Sequence, residues 1–291
     1  MEKRINIPNF FFCWQKYSSA SEIKVFNKRP LNNNGLYISF ENFFPKPFIQ
    51  SNKNYTIIVI GSTILNEKIS FNITEKHINN NKLLREINGE FIIIFFDKKK
   101  RKIKIINDRF SSYPVYYVNT ENFFFLSSSY LDLIKNLQKK QSVKIVKDNF
   151  FEFIFFQRLL GDKTYDYSSK YLSSGTILNI SKQQFSQKKF WVPNFSKTKS
   201  TDNQLVDEMV FLLKQSLKRK TSDKKNYGLF LSGGFDSRSV AIAAETHLTC
   251  LTYSFNDNYE VNCARKSAEV LGNKFVFLKF PKFHLSKSIS L

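Results

Sequence analysis

Leu229-Phe230-Leu231-Ser232-Gly233-Gly234-Phe235-Asp236-Ser237-Arg238-Ser239-Val240-Ala241-Ile242-Ala243-Ala244-Glu245 is the stretch whose reading decides the fold. An apolar strand, begun at Tyr227, runs straight into Ser232–Ser237 and then into an alanine-rich helix. The turn therefore stands at a helix N-terminus, where free N–H groups can hold an anion. Two adjacent glycines leave the backbone open to close approach, and Ser232 and Ser237 add hydroxyl donors, so phosphate is the expected anion. Asp236 is out of place in such a turn unless a cation lies between it and the phosphates, as magnesium does in nucleotide sites. The same residues also read as an ordinary tight turn with Asp236 or Ser237 as helix N-cap. No Gly-Lys-Ser/Thr follows at the spacing of a Walker A loop.

On the C-terminal side, residues 249–255 are a predicted strand, 260–271 a helix ending at Gly272, and 275–280 a third strand. Strand, helix, strand, helix, strand describes a parallel α/β sheet. On the N-terminal side, Leu205, Met209, Leu212, Leu213 and Leu217 recur at helical spacing and predict an amphipathic helix. Residues 193–202 are polar with little to bury and read as a linker. The expected division is 1–192, a linker 193–203, and 204–291.

The region before the linker reads as strand-rich. Aromatic clusters (Phe10, Phe11, Phe12, Trp14; Phe40, Phe43, Phe44, Phe48) precede a short strand at 56–60. Residues 90–97 and 104–107 form a hairpin with a basic tip, and 116–118 with 123–126 a second strand pair. A brief helix is predicted over 129–137. Residues 148–159, apolar at most positions, suit a buried helix, and 176–180 and 188–191 read as closing strands.

The 291 residues suffice for two cores. With 42% hydrophobic and 16% aromatic residues the chain is not disordered. Its 45 basic against 24 acidic residues give a net charge of +21, a potential attractive to nucleotides, nucleic acid or anionic lipid. Lys, Asn, Ile and Phe are over-used together, however, as nucleotide bias in a gene would produce, and no basic-aromatic nucleic-acid module is present. Cys13, Cys250 and Cys263, with His77, His247 and His284 scattered, fit neither a disulfide framework nor a zinc site. The longest apolar run, 91–96, is far short of a membrane span, and a reducing cytoplasm is expected.

Ser-Gly-Gly-x-Asp-Ser resembles the pyrophosphate loop of the N-type ATP pyrophosphatases, whose fold is adenine nucleotide α-hydrolase-like, and Leu231–Arg238 looks most like the asparagine synthetase family. The first region resembles that family too. Asn88-Gly89-Glu90-Phe91 with Asp97, Asp108-Arg109-Phe110 with Pro114-Val115-Tyr116-Tyr117, and Leu126-Ser127-Ser128 follow the order and spacing of its glutaminase domain. Gly161-Asp162-Lys163-Thr164, Leu172–Thr176 and Phe190-Trp191 resemble the segment that closes it, and Ser254-Phe255, Glu260, Ala264-Arg265, Ala268 and Leu271-Gly272 continue the likeness. The resemblance implies an α+β N-terminal domain of Ntn-hydrolase type, an α/β/β/α sandwich, followed by a truncated parallel α/β ATP-pyrophosphatase domain.

It further implies that Ser232, Gly233, Gly234, Asp236 and Ser237 cradle the phosphates of ATP, with Asp236 on Mg2+. Leu231 would lie beside adenine, and the segment near Asp257 would form the other wall. Arg238 would reach a phosphate or face solvent. Glu260 reads as a carboxylate favoured by its helix dipole. Two departures stand out. The family's glutaminases use an N-terminal cysteine as nucleophile, whereas here Met1 is followed by Glu2 and Cys13 reads as a packed residue. The chain also stops at Leu291, where family members continue through a helical portion. The expectation is an AMP-forming amide ligase acting on a carboxylate substrate with ammonia or an amine, without glutaminase activity, that is either a fragment or completed by a second chain. The rival expectation is a non-catalytic binding module of the same fold.

Overall fold

The structure, a computed structural model, describes residues 9–28, 35–41, 46–197 and 200–280. Phe43, Phe44 and His284 lie outside them. The chain separates into two compact units, one of residues 1–65 and 70–194, the other of 66–69 and 195–291.

The first unit is built on alternation. Its strands are β1 (Asn9–Gln15), β2 (Lys24–Phe26), β3 (Leu36–Glu41), β4 (Phe48–Ser51) and β5 (Tyr55–Leu65), with β6 (Lys68–Ile69) assigned to the second unit. Helices α1 (Glu75–Asn79) and α2 (Asn81–Glu86) precede β7 (Asn88–Asp97), β8 (Lys102–Asn107), β9 (Tyr116–Asn119) and β10 (Phe123–Ser127). Then come α3 (Tyr130–Gln138), α4 (Lys147–Phe156), β11 (Ser169–Tyr171), β12 (Thr176–Ile180) and β13 (Phe185–Lys189). One sheet runs β11-β9-β10-β1-β3-β2 and the other β13-β12-β8-β7-β5-β4.

Successive strand residues point to opposite faces, so each sheet can feed two cores. Phe10, Phe12 and Trp14 of β1 meet Ile58, Ile92, Ile94 and Phe96 of the other sheet in a shared interior. The outward residues of the first sheet, Phe11, Cys13 and Phe125, pack with Leu133 and Leu137 of α3. Those of the second, Ile57, Val59, Ile93 and Phe95, pack with Ile78 and Leu84 of α1 and α2. Helix, sheet, sheet, helix is the α/β/β/α sandwich expected from the resemblance.

Four sequence readings shift. The aromatic run at 10–14 is a fully buried strand, and the strand at 56–60 extends to eleven residues. The closing strand is β13, five residues long and ending at Lys189 rather than running to Trp191. The expected buried helix is α4, and it has no buried residue: Phe150, Phe151, Ile154, Phe155 and Phe156 are exposed, Phe155 by 83%. An apolar residue at nearly every position signals burial only when a neighbouring layer covers it. Among the described residues, only Phe153 finds a ring outside the helix, that of Tyr165 at 5.8 Å.

In the second unit, α5 (Asp202–Lys220) begins at a capping box in which Thr201 and Gln204 exchange bonds, so residues 202–203 are helix rather than linker. Then follow β14 (Tyr227–Phe230), α6 (Phe235–Ala243), β15 (Leu248–Ser254), α7 (Tyr259–Val270) and β16 (Lys274–Lys279). The three strands are parallel in the order β14-β15-β16. Leu231, Leu248 and Cys250 face Ala241 of α6 and Ala264 and Ala268 of α7, small residues that let both helices lie close on one sheet face. On the opposite face Phe230, Tyr253 and Leu278 are exposed. No described helix is long and apolar enough to cross a membrane.

Candidate functional site

The loop after β14 is fixed at its root by the sheet. Leu231 N–H donates to the Leu251 carbonyl at 2.9 Å, and the buried Thr252 hydroxyl donates to the Leu231 carbonyl at 2.6 Å. Ser232–Gly234 then turn the chain into α6. The N-cap is Gly234, in extended backbone and with no side-chain cap bond. The tight-turn reading that made Asp236 or Ser237 the cap is therefore not realised, because both already lie inside the first helical turn.

The serines stitch the loop to itself. Ser237 Oγ accepts the Ser232 N–H at 3.0 Å and lies 2.9 Å from Ser232 Oγ, which in turn accepts the Gly234 N–H at 3.2 Å. These hydroxyls hold the loop's shape. What remains for a ligand is the first-turn N–H groups of Phe235, Asp236 and Ser237, which have no intrahelical partner and sit at the positive end of the helix dipole. Asp236 is exposed, and among the described residues nothing donates to its carboxylate.

Neither loop glycine needs its conformational freedom, since neither has a positive φ. A Cβ on Gly233 would stand 3.4 Å from Cα and Cγ of Glu260 and 3.5 Å from Cβ of Cys263, so α7 starts against this side of the loop. A Cβ on Gly234 would press on Ser232 Oγ at 3.3 Å. Gly234 thus makes room for Ser232 Oγ, whereas a Cβ at Gly233 would sit at ordinary contact distance from α7.

Other expected site residues are placed differently. Leu231 is 2% exposed, its side chain in the core and both backbone groups engaged, so it does not present a surface to a base. Arg238 folds back on the end of the loop and the start of its helix instead of aiming at a phosphate position. Its Nε donates to the Gly234 carbonyl at 3.2 Å and its guanidinium lies 4.5 Å from the Phe235 ring centre. Asp257 follows β15 at the same carboxyl-terminal sheet edge as the loop, but Arg265 of α7 holds it at 2.6 Å. Glu260, assigned only a dipole role from sequence, is brought beside Gly233. The hydrogen bond that Tyr259 makes with Cys263 raises the Tyr259 pKa. Sequence spacing gives no signal for the approach of Glu260 to Gly233, because it depends on how α7 seats against the loop.

Among the described residues no group of three or more His, Cys, Asp or Glu could enclose a metal. One unengaged carboxylate beside unpartnered N–H groups still fits magnesium, which keeps several waters and takes most other ligands from phosphate oxygens.

In the first unit, Cys13 sits mid-strand in β1, fully buried among Phe11, Tyr37, Phe125 and Leu133. That is the packing expected of an inert thiol. The Asp-Arg-Phe segment has a structural task. Asp108, fully buried, accepts from the N–H groups of Phe91 (3.2 Å), Phe110 (2.8 Å) and Ser112 (3.1 Å) and from the Ser112 hydroxyl (3.2 Å). Asn107 Nδ2 donates to the Leu172 carbonyl at 2.9 Å and ties in the segment before β12. Gly89 has φ +109° and its Cβ position lies 2.3 Å from the Ser62 carbonyl oxygen, so only glycine fits there.

Residues 73–191 match the family described as glutamine amidotransferase domain, and residues 210–282 the family described as asparagine synthase. The chain is 24% identical over 193 residues to asparagine synthetase [glutamine-hydrolyzing] 1 of Bacillus subtilis (strain 168), covering 64% of this chain and 30% of that protein. It is 28% identical over 163 residues to the putative asparagine synthetase [glutamine-hydrolyzing] 2 of Methanocaldococcus jannaschii, covering 54% and 31%. The aligned part thus spans under a third of these relatives. Among solved structures, the B. subtilis glutamine phosphoribosylpyrophosphate amidotransferase complexed with ADP and GMP aligns at TM-score 0.29 and 11% identity, covering 84% of this chain and 52% of its own. The allosteric regulatory enzyme of purine biosynthesis aligns at TM-score 0.34 and 8% identity, covering 97% and 85%.

Proposed function

The chain belongs to an asparagine synthetase-like family, with a glutamine amidotransferase region preceding an asparagine synthase region, and from this we propose that its second unit binds ATP with magnesium at the Ser232–Ser237 loop. The observation that carries the reading is the exposed Asp236 carboxylate, unengaged by described residues, beside the open N–H groups that begin α6. The activity proposed is that of an ATP-dependent amide ligase, in which a carboxylate is activated with release of pyrophosphate and then attacked by ammonia or an amine.

In that reaction the N–H groups of Phe235, Asp236 and Ser237 orient the phosphate tail and stabilise the charge that grows on it as it leaves. Ser232 and Ser237 keep the loop in the shape that aims those groups. Asp236 holds the cation, which supplies charge neutralisation on the phosphates. Arg238, stacked over Phe235, and Glu260, beside Gly233, flank the entrance.

We assign no glutamine hydrolysis to Cys13, because it is sealed in a core. The nitrogen then comes from free ammonia or from an amine of the substrate. The open apolar face of the β14-β15-β16 sheet favours completion by further polypeptide, since parallel sheets are normally covered on both faces. That same face is what a non-catalytic binding module would use.

Isothermal titration of the full chain with ATP and magnesium tests the proposal. Saturable binding is expected, falling at least tenfold in Asp236→Asn. Equal binding by the two proteins, or none by either, removes the ligase reading and leaves the binding module.

A further inference from the structure

A second recess lies in the first unit, at the hairpin end of its second sheet. Rungs of this sheet pair Phe95 with Lys104, Lys104 with Asn179, and Asn179 with Ser186. Helices α1 and α2, only five and six residues long, cover the sheet up to this rung, where Ile78 and Leu84 pack with Phe95 and the end of α1 meets Lys104. The space left over is a cleft of about 720 Å³, lined by those four side chains, by Asn79 at the end of α1, and by the tips of both hairpins. That volume suits a small organic molecule.

Its charge is one-sided. Lys100, Lys102 and Lys104 line it, and the one acidic lining residue, Asp97, accepts the Lys100 backbone N–H at 2.7 Å and lies 4.0 Å from its ammonium. Lys104 is half-buried, and its ammonium is held by two neutral oxygens, Asn79 Oδ1 at 2.8 Å and the Ile78 carbonyl at 3.2 Å. Burial and the nearby Lys188 both push the Lys104 pKa down. A desolvated ammonium facing a second cation, with no carboxylate on it among the described residues, is a standing electrostatic cost that an anion would relieve. The rest of the lining mixes neutral polar residues, Asn79, Asn179, Gln184 and Ser186 among them, with the apolar Phe95 on the floor.

We propose that this cleft binds a small organic anion, its acid group beside Lys104 and Lys102 and its apolar body against Phe95. Carboxylates and phosphate esters share the required chemistry. The site is independent of the nucleotide loop, which belongs to the other unit. Polar Asn179 and Ser186, on the same rung, would accept or donate to the bound acid or its substituents.

The experiment is calorimetric titration of the full chain with phenyl phosphate, benzoate and benzyl alcohol. At least one of the two acids is expected to saturate a single site, and the preferred one identifies the acid group, while the neutral alcohol does not saturate. Lys104→Met should weaken acid binding tenfold or more. Ser186→Trp, which fills the cleft from an exposed strand position and so spares the fold, should abolish it, and Asp236→Asn should leave it unchanged. Acid binding that persists in both cleft variants, saturation by the alcohol alone, or no saturable binding by either acid overturns the proposal. Because Asp236→Asn reports on the loop and Ser186→Trp on the cleft, failure of one reading is distinguishable from failure of the other.

Discussion

The two units differ in how completely they cover their sheets. In the first, each sheet is packed on both faces, and the three resulting cores contain nearly every large strand residue. In the second, one face of a three-stranded parallel sheet is packed by alanines from two helices while Phe230, Tyr253 and Leu278 stand open on the other. The contrast teaches where stability and ligand binding are expected to reside. The doubly covered sandwich is rigid because its interior permits no rearrangement without a void. The half-covered sheet carries its loop on a thinner base, and local opening there should be easier.

The largest effect that could break this contrast is expected at Phe96, buried between the two sheets. Phe96→Ala should cost about 3–5 kcal/mol in denaturant unfolding of the first unit; a loss below about 1 kcal/mol would mean the sandwich is not tightly packed. Next comes Asp108→Asn, which keeps the shape but turns an amide N–H toward the donors of Phe91, Phe110 and Ser112. A loss of about 1–3 kcal/mol is expected for buried groups left unpaired, and a neutral result would deny Asp108 its structural task. Gly233→Ala sharpens the contrast in the opposite direction. Its added Cβ meets α7 at ordinary contact distance, and reduced freedom of the unfolded chain should raise stability by about 0.4–1 kcal/mol. Loss of stability there would show that α7 seats more tightly on the loop than Glu260 and Cys263 indicate. Smallest is Asp236→Asn, expected within about 0.5 kcal/mol of the parent in thermal or denaturant unfolding, because no described group depends on its charge. A larger penalty would make Asp236 a structural residue.

Much of this was legible from residues alone, for physical reasons that also mark the limits. The strand-turn-helix at 227–245 is local, so the loop and its helix could be read directly, as could the βαβ alternation after it. The Gly89 and Asp108 motifs were visible only through resemblance, and their hydrogen-bonding tasks needed the fold. Sequence misjudged α4, because apolar residues at nearly every position give no face, and coverage depends on what packs alongside. It did not show that the Leu231 side chain enters the core, because a residue just past the end of a parallel strand turns toward the core as readily as toward a ligand. It could not foresee that Arg238 folds back on Phe235, or that Arg265 captures Asp257, since both depend on rotamers and on a helix seating. The cleft at Lys104 was hidden altogether. Residues 98–102 read as a solvated hairpin tip and Lys104 as the start of the return strand, and only the fold shows that the end of α1 half-encloses Lys104.

The uncovered phenylalanines of α4 have a consequence for how the molecule behaves in solution. With a formal charge of +21, long-range repulsion keeps copies apart, but its reach shrinks to about 10 Å at 0.1 M salt and about 3 Å at 1 M. Once that barrier is thinned, short-range adhesion between bare aromatic rings takes over. Light scattering should therefore rise with added sodium chloride, and replacing Phe151 and Phe155 with serine should hold the protein in clear solution at ionic strengths that cloud the parent.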